Sequence, residues 1–269
     1  MFSLLTNTLS PGRDTELLMR TSRRYRSQHF LVSSEVLALL EPEVQPRCQA
    51  VEVGAGKGFL TEWLAGICSH VIAIEIDPFL CETLRMNLGD RCDIVCANVF
   101  DISLPATSLV VSSVPYSVST RLLLKLFEEG ESWQKSILIL QREFVQKLTA
   151  RPGSLNYRRI SAIATSGWII RVIGAVPRAW FRPPPKVDSV AVTLEWRVRK
   201  PAKELRKVVE TTTILFNYRN RSLQAALRES GLARRVSCLP SDAGEKLKRR
   251  VSSLESQDFW QIALEWIRE

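Results

Sequence analysis

The stretch "VEVGAGKG", Val51 to Gly58, decides how the first part of the chain folds. An apolar run rich in β-branched residues ends in three glycines at alternate positions, and a helical pattern begins behind them near Phe59. β-Branched residues suit a strand, and glycine enters the left-handed backbone region without steric cost. The stretch therefore reads as strand, tight turn, helix. At such a junction the backbone comes close to a ligand and offers N–H groups at the helix start.

Reading outward, Glu75 lies 21 residues beyond Gly54, at the end of the next apolar run, "VIAIEID". A carboxylate there accepts both ribose hydroxyls of a nucleoside. The spacing is Gly-x-Gly-x-Gly, not the Gly-x-Gly-x-x-Gly of dinucleotide sites. Glu52 precedes the first glycine, where a carboxylate repels a pyrophosphate but attracts an ammonium group. A nucleoside with a cationic tail satisfies both conditions, and S-adenosylmethionine, with its ammonium and sulfonium, is the expected ligand.

The runs "AVEVG", "HVIAIEI", "CDIVCA", "SLVVSS" and "SILILQ" are short, apolar and separated by helical stretches. That alternation predicts a parallel sheet covered by helices on both faces. Two more strand candidates follow, "WIIRVIGAV" and "SVAVTLEW", joined through "PRAWFRPPPKVD". Its prolines exclude helix and central strand, so it is expected to be an ordered loop. After Trp196 the pattern changes to four amphipathic segments, near 203–216, 222–230, 241–250 and 256–268. The domain boundary is placed in "WRVRKPAKE", at 196–202.

Composition narrows the class. Hydrophobic residues make up 45% and charged residues 24% of 269 residues, enough for a full core. The six cysteines (48, 68, 81, 92, 96 and 238) include no Cys-x-x-Cys, and only two histidines accompany them. No metal site is expected, and the cysteines read as reduced thiols of a cytoplasmic protein. "MFSLLTNTLSPGRDTE" lacks the basic and long apolar regions of a secretory signal, and no run reaches membrane-spanning length. Residues 197–269 carry 16 Lys/Arg against 9 Asp/Glu, whereas the first 196 carry 21 against 19. A basic tail on a nearly neutral body fits a polyanion partner, nucleic acid before membrane, as readily as a solvated helical face.

Eight stretches together resemble the rRNA adenine N6-dimethyltransferase family, which includes the erythromycin-resistance (Erm) methyltransferases. They are "SQHFL" (27–31), "VEVGAGKGFLT" (51–61), "VIAIEID" (71–77), "VPYSVST" (114–120), "LILQREFVQKL" (138–148), "GSLNYRRISAI" (153–163), "FRPPPKVDS" (181–189) and "FNYRNRSLQAAL" (216–227). They run in family order. The resemblance implies a Rossmann-like class I methyltransferase with a seven-stranded, mostly parallel sheet and a small C-terminal all-helical domain. It divides the chain into a basic arm (1–26, with Arg20, Arg23, Arg24 and Arg26), a cofactor-binding domain (27–196) and a helical RNA-binding domain (197–269). It also implies S-adenosylmethionine contacts at Gln28, His29, Leu31, Glu52, Gly54, Gly56, Glu75, Ile76, Val99 and Ser113. The family usually places Asp on the adenine amino group. Here Asn98 stands there, and its side-chain oxygen still accepts from an amine.

The family's Asn-(Leu/Ile)-Pro-(Tyr/Phe) motif appears as Ser113-Val114-Pro115-Tyr116. The exocyclic amine of adenine is a poor nucleophile because its lone pair is delocalised into the ring. Two acceptors on its hydrogens, the side-chain oxygen at 113 and a backbone carbonyl near Pro115, hold the nitrogen tetrahedral with its lone pair on the methyl. Tyr116 offers a face on which an extruded base stacks, and Phe181 resembles the family's second aromatic. Ser113 is shorter than the usual Asn. It leaves room for an amine already methylated once, or leaves more of the positioning to the carbonyl.

The expected function is S-adenosylmethionine-dependent N6-(di)methylation of adenines in rRNA, at two adjacent adenines of the small subunit during ribosome biogenesis. The partner is rRNA or a ribosomal subunit precursor, and the chain is expected to act as a monomer with no membrane. Two alternatives stay open: Erm-like methylation of a large-subunit adenine, and a non-catalytic assembly factor that binds RNA.

Overall fold

A computed structural model describes residues 29–236, 239–240 and 243–267. Gln28 and the Arg20–Arg26 stretch lie outside the described residues. Seven strands form one sheet: β2 (Gln49–Val53), β3 (His70–Glu75), β4 (Asp93–Cys96), β5 (Thr107–Ser113), β6 (Trp133–Gln141), β7 (Trp168–Val176) and β9 (Ser189–Trp196). Their spatial order is β4-β3-β2-β5-β6-β9-β7. Pairing is parallel from β4 through β6, and β9 runs antiparallel to both of its neighbours. A separate two-stranded ribbon joins β1 (Phe30–Leu31) to β8 (Phe181–Arg182).

The two-residue period of the strands builds two cores, one on each face of the sheet. Val51 and Val53 of β2, Val110 of β5, and Leu138 and Leu140 of β6 enter one core with the helices Ser119–Glu128 and Arg159–Gly167. Ala50, Leu109, Val111, Ile137 and Ile139 enter the other, under the helices Glu35–Leu40, Phe59–Ile67 and Pro78–Leu88. Glu52 shares the parity of Ala50 and so lies on the second face.

The loop after β2 has the backbone that the glycine spacing predicts. Gly54, Gly56 and Gly58 have φ of +75°, +58° and +87°. A Cβ at Gly58 would sit 2.7 Å from Leu84 Cδ2, so close packing as well as φ demands glycine there. Downstream, the helix Pro78–Leu88 starts with Asp77, whose side chain accepts from Phe79 N at 2.9 Å, and with proline in its first turn.

The helices Ala202–Phe216, Leu223–Glu229, Ala243–Lys248 and Ser256–Gln261 follow β9, the last continued by a π-turn, Ile262–Trp266. Leu215, Leu223, Leu227, Val251, Phe259 and Trp266 form a third core with Tyr157 and Ala162. The first of these helices also sends Leu205, Val208 and Val209 into the core on the Ser119–Glu128 face of the sheet. Tyr157 Oη donates to Leu254 O at 3.1 Å, tying the two regions together.

Candidate active site

The strand order reverses between β2 and β5, so their C-terminal ends diverge into a crevice. Ser112 helps to set where this happens. Its hydroxyl, fully buried, donates to Val53 O at 2.7 Å, just past the last register pair Glu52–Val111. The crevice is a cleft of about 390 Å³, within the ~300–1,000 Å³ range of small-molecule sites. It gathers His29, Leu31, Glu52, Gly54, Gly56, Glu75 and Ile76 with Asn98, Val99, Ser113, Pro115, Tyr116 and Phe181. Thus every site residue expected from the sequence and among the described residues lines one cavity.

Glu75 organises the floor. One carboxylate oxygen accepts from Gly56 N at 2.8 Å. The other accepts from Ile76 N at 2.8 Å and Asp77 N at 2.9 Å. The side chain thus holds the glycine loop in place, a role the sequence reading missed, and the oxygen bonded to Gly56 N keeps acceptor capacity for a hydroxyl. At Gly54 an added Cβ would meet nothing within 4 Å, so the loop faces open space that a ligand can fill. Asn98 caps the turn Val99–Asp101. Its side-chain oxygen accepts from Phe100 N at 3.2 Å, and its amide donates to Asp101 Oδ2 at 3.0 Å. The Arg121 guanidinium stacks 3.9 Å over the Phe100 ring, and both line the same end of the cleft.

Glu52 is 2% exposed and accepts from Thr61 Oγ1 at 2.5 Å. Burial pushes its carboxyl up to about 8, the Thr61 hydrogen bond opposes this, and the nearby Glu75 adds to it. Without a cation beside it, Glu52 is mostly protonated at neutral pH. A cationic ligand group would favour the ionised form.

At the opposite wall, β5 ends at Ser113, paired with Ile139 of β6. Among the described residues no group hydrogen-bonds the Ser113 hydroxyl, and no donor reaches Val114 O. The Pro115 carbonyl, by contrast, accepts from Val118 N at 3.0 Å. The two adjacent acceptors to which no described residue donates are therefore Ser113 Oγ and Val114 O. Tyr116 is half-buried, and its hydroxyl bonds Ser189 Oγ at 3.1 Å. Its ring centroid lies 5.9 Å from that of His29, which is held in turn through its Nδ1 contact with Pro183 O at 2.8 Å. Phe181, 2% exposed, presents only a sliver of its ring to the cleft. Ser189 and Thr61 escaped the sequence reading because a lone hydroxyl carries no pattern.

Among the basic residues of the C-terminal helices, Lys246 pairs with Asp258 at 3.3 Å, and Arg249 lies 3.9 Å from both Asp258 and Glu255. Lys248 and Arg250 are exposed. Five cysteines are free thiols, and Cys48 and Cys68 approach at 3.4 Å. Among the described residues no helix is long and apolar enough to cross a membrane.

Comparison with known proteins finds relatives among ribosomal RNA methyltransferases. A "Probable ribosomal RNA small subunit methyltransferase A" of Thermococcus onnurineus is 31% identical over 206 residues, 76% of this chain and 74% of that protein. Its namesake in Pyrobaculum islandicum is 32% identical over 75% of this chain and 84% of its own length. Among solved structures, a dimethyladenosine transferase from Plasmodium falciparum superposes with a TM-score of 0.75 at 21% identity, covering 88% of this chain and 97% of that one. The 23S rRNA methyltransferase ErmE gives 0.62 at 24% identity, covering 87% and 97%. These two structural likenesses speak to the fold. The family profile described as "Ribosomal RNA adenine dimethylase" matches residues 19–267. The chain therefore belongs to the ribosomal RNA adenine dimethylase family, whose members are S-adenosylmethionine-dependent methyltransferases.

Proposed function

We propose that this chain methylates the N6 amine of two adjacent adenines in small-subunit rRNA, during ribosome biogenesis. The observation that carries this reading is the pair of acceptors to which no described residue donates, Ser113 Oγ and Val114 O, beside the Tyr116 ring in the cleft that contains Glu75 and the glycine loop.

Glu75 and the Gly54–Gly56 backbone would hold the ribose and amino-acid portions of S-adenosylmethionine, and Asn98 the adenine amino group. When bound, this cofactor supplies an electrophilic methyl group on a sulfonium. The protein's task is then to present the adenine amine. Ser113 Oγ and Val114 O accept its hydrogens, which turns the lone pair out of conjugation. Tyr116 carries the extruded base on its ring face, and the Ser189 hydroxyl fixes the tilt of that ring. No strong base is required, because alignment and exclusion of water supply the acceleration. The helices after Ala202 are assigned to phosphate contacts, with Lys248 and Arg250 foremost. The names of the archaeal relatives favour the small subunit over a large-subunit target.

The test is transfer of labelled methyl to separated, unmodified small and large ribosomal subunits, with the modified base mapped by mass spectrometry. N6-dimethyladenine at neighbouring positions of small-subunit RNA is expected. Label in the large subunit alone would reassign the target, and label in neither would overturn the enzymatic reading.

A further inference from the structure

Outside the cleft, a second depression is lined by Phe30, Lys57, Phe79, Leu80, Arg182 and Pro183. The β1–β8 ribbon forms the wall between the two. Its register pairs Leu31 with Phe181 and Phe30 with Arg182. Alternation along each strand turns the buried pair Leu31 and Phe181 inward and puts Arg182 outside. Phe30 and Lys57 border both depressions.

The composition of this outer depression points to a ligand. Phe79 is 69% exposed, on the first turn of its helix, where nothing in the fold requires an aromatic ring. Lys57 lies 4.9 Å over the Phe30 ring. Arg182 is exposed, and its guanidinium is anchored by donation to Phe181 O at 3.1 Å and Ala179 O at 3.2 Å. Among the described residues neither cation meets a carboxylate, and none of the six lining residues is acidic. An exposed ring in one depression with two cations that meet no carboxylate among the described residues matches a nucleobase and its phosphates.

We propose that this depression receives the base of a nucleotide neighbouring the target adenine in single-stranded RNA. Phe79 is its stacking face, and Lys57 and Arg182 meet the flanking phosphates. The proposal rests on the RNA-methylating reading above. Extruding an adenine unstacks its neighbour as well, and a second aromatic face beside the cleft recaptures that base, so the strand is held on both sides of the β1–β8 wall.

The test uses the full chain and a short fluorescein-labelled single-stranded RNA with two adjacent adenines. Phe79→Ala should weaken RNA binding by about fivefold to a hundredfold, the range for one stacked base, while calorimetric affinity for S-adenosylmethionine stays unchanged. Phe79→Trp should bind at least as tightly as wild type. The double variant Lys57→Gln/Arg182→Gln should flatten the salt dependence of binding by about 1.4 in log–log slope, two contacts at ~0.7 each on a single strand. RNA affinity of Phe79→Ala within twofold of wild type would overturn the subsite, as would a parallel loss of cofactor affinity. If the wild-type chain methylated rRNA while these variants behaved normally, only the subsite would fall. If the wild type methylated no rRNA, the reading beneath it would fall too.

Discussion

Replacing Glu52 with glutamine removes a titrating group from the cleft while keeping its size and an acceptor for the Thr61 hydroxyl. In the unfolded chain this carboxyl ionises near 4.5, whereas in the fold burial lifts it to about 8. Between those values the native state holds one proton more than the unfolded chain, so the native state loses stability as pH rises. The slope is about 1.4 kcal/mol per pH unit, and the whole interval amounts to roughly 5 kcal/mol. That is a large share of the ~5–15 kcal/mol that stabilises a typical protein. Urea denaturation of the ligand-free protein and of Glu52→Gln, between about pH 5 and pH 9, isolates the effect from all other titrating groups. The two stabilities should converge near pH 5, diverge in favour of the variant up to about pH 8, and run parallel above it. Binding should show the converse. A cation beside Glu52 favours its ionised form, so S-adenosylmethionine should expel a proton at neutral pH. Its affinity should climb with pH in the wild type and stay level in Glu52→Gln. Parallel stability curves across the whole range would refute the argument, because they would mean that the carboxyl is solvated or already ionised in the fold.

Four further outcomes follow from the same geometry. Glu75→Ala removes the acceptor of three backbone N–H groups together with the ribose contacts proposed for it. Calorimetry should show S-adenosylmethionine binding weakened by about 1.5–3 kcal/mol per lost charge-assisted bond, and undiminished affinity would remove Glu75 from the site. Tyr116→Ala should lose about 1–3 kcal/mol of base stacking, whereas Tyr116→Phe loses only the Ser189 bond, worth about 0.5–1.5 kcal/mol. Equal losses in single-turnover rate would mean that the ring face is not the platform. Ser113→Asn, which restores the family's usual residue, should accumulate monomethyladenine at the expense of dimethyladenine, and an unchanged product ratio by mass spectrometry would reject the space argument. Neutralising Lys248 and Arg250 should flatten the salt dependence of RNA affinity. Lys246 and Arg249, already paired with carboxylates, should matter less, and a slope equal to wild type in the first variant would make that face a solvated surface.

Much of the architecture was written in local patterns. The short apolar runs of β2, β5 and β6, spaced by helical stretches, predicted a parallel sheet covered by helices on both faces. The glycines at 54, 56 and 58 predicted a turn whose φ values only glycine adopts freely. The prolines of 181–189 kept that stretch out of the sheet interior, and the amphipathic segments after 202 became helices. Such features act within a strand or a turn of helix, so a single stretch contains their whole cause. Motif order likewise assigns Glu75, Asn98, Ser113 and Tyr116 to one site, and all four line the cleft.

Tertiary structure alone decided which groups are free and which are spent. The sequence offered a carbonyl near Pro115, yet the Val118 N–H bonds that one, and no described residue donates to Val114 O. It offered Glu52 as a charge, and burial in the fold pushes its carboxyl up to about 8 against the opposing Thr61 hydrogen bond. It offered four cations at 246–250, and the fold paired two of them. Ser189 meets Tyr116 across 73 residues, and Phe79 comes beside Lys57 and Arg182 only because three separate segments converge on the β1–β8 ribbon. Hydrogen-bond partners, desolvation and ion pairing depend on what the packed chain brings within a few ångströms. Residues far apart in sequence set those distances, so no local pattern encodes them.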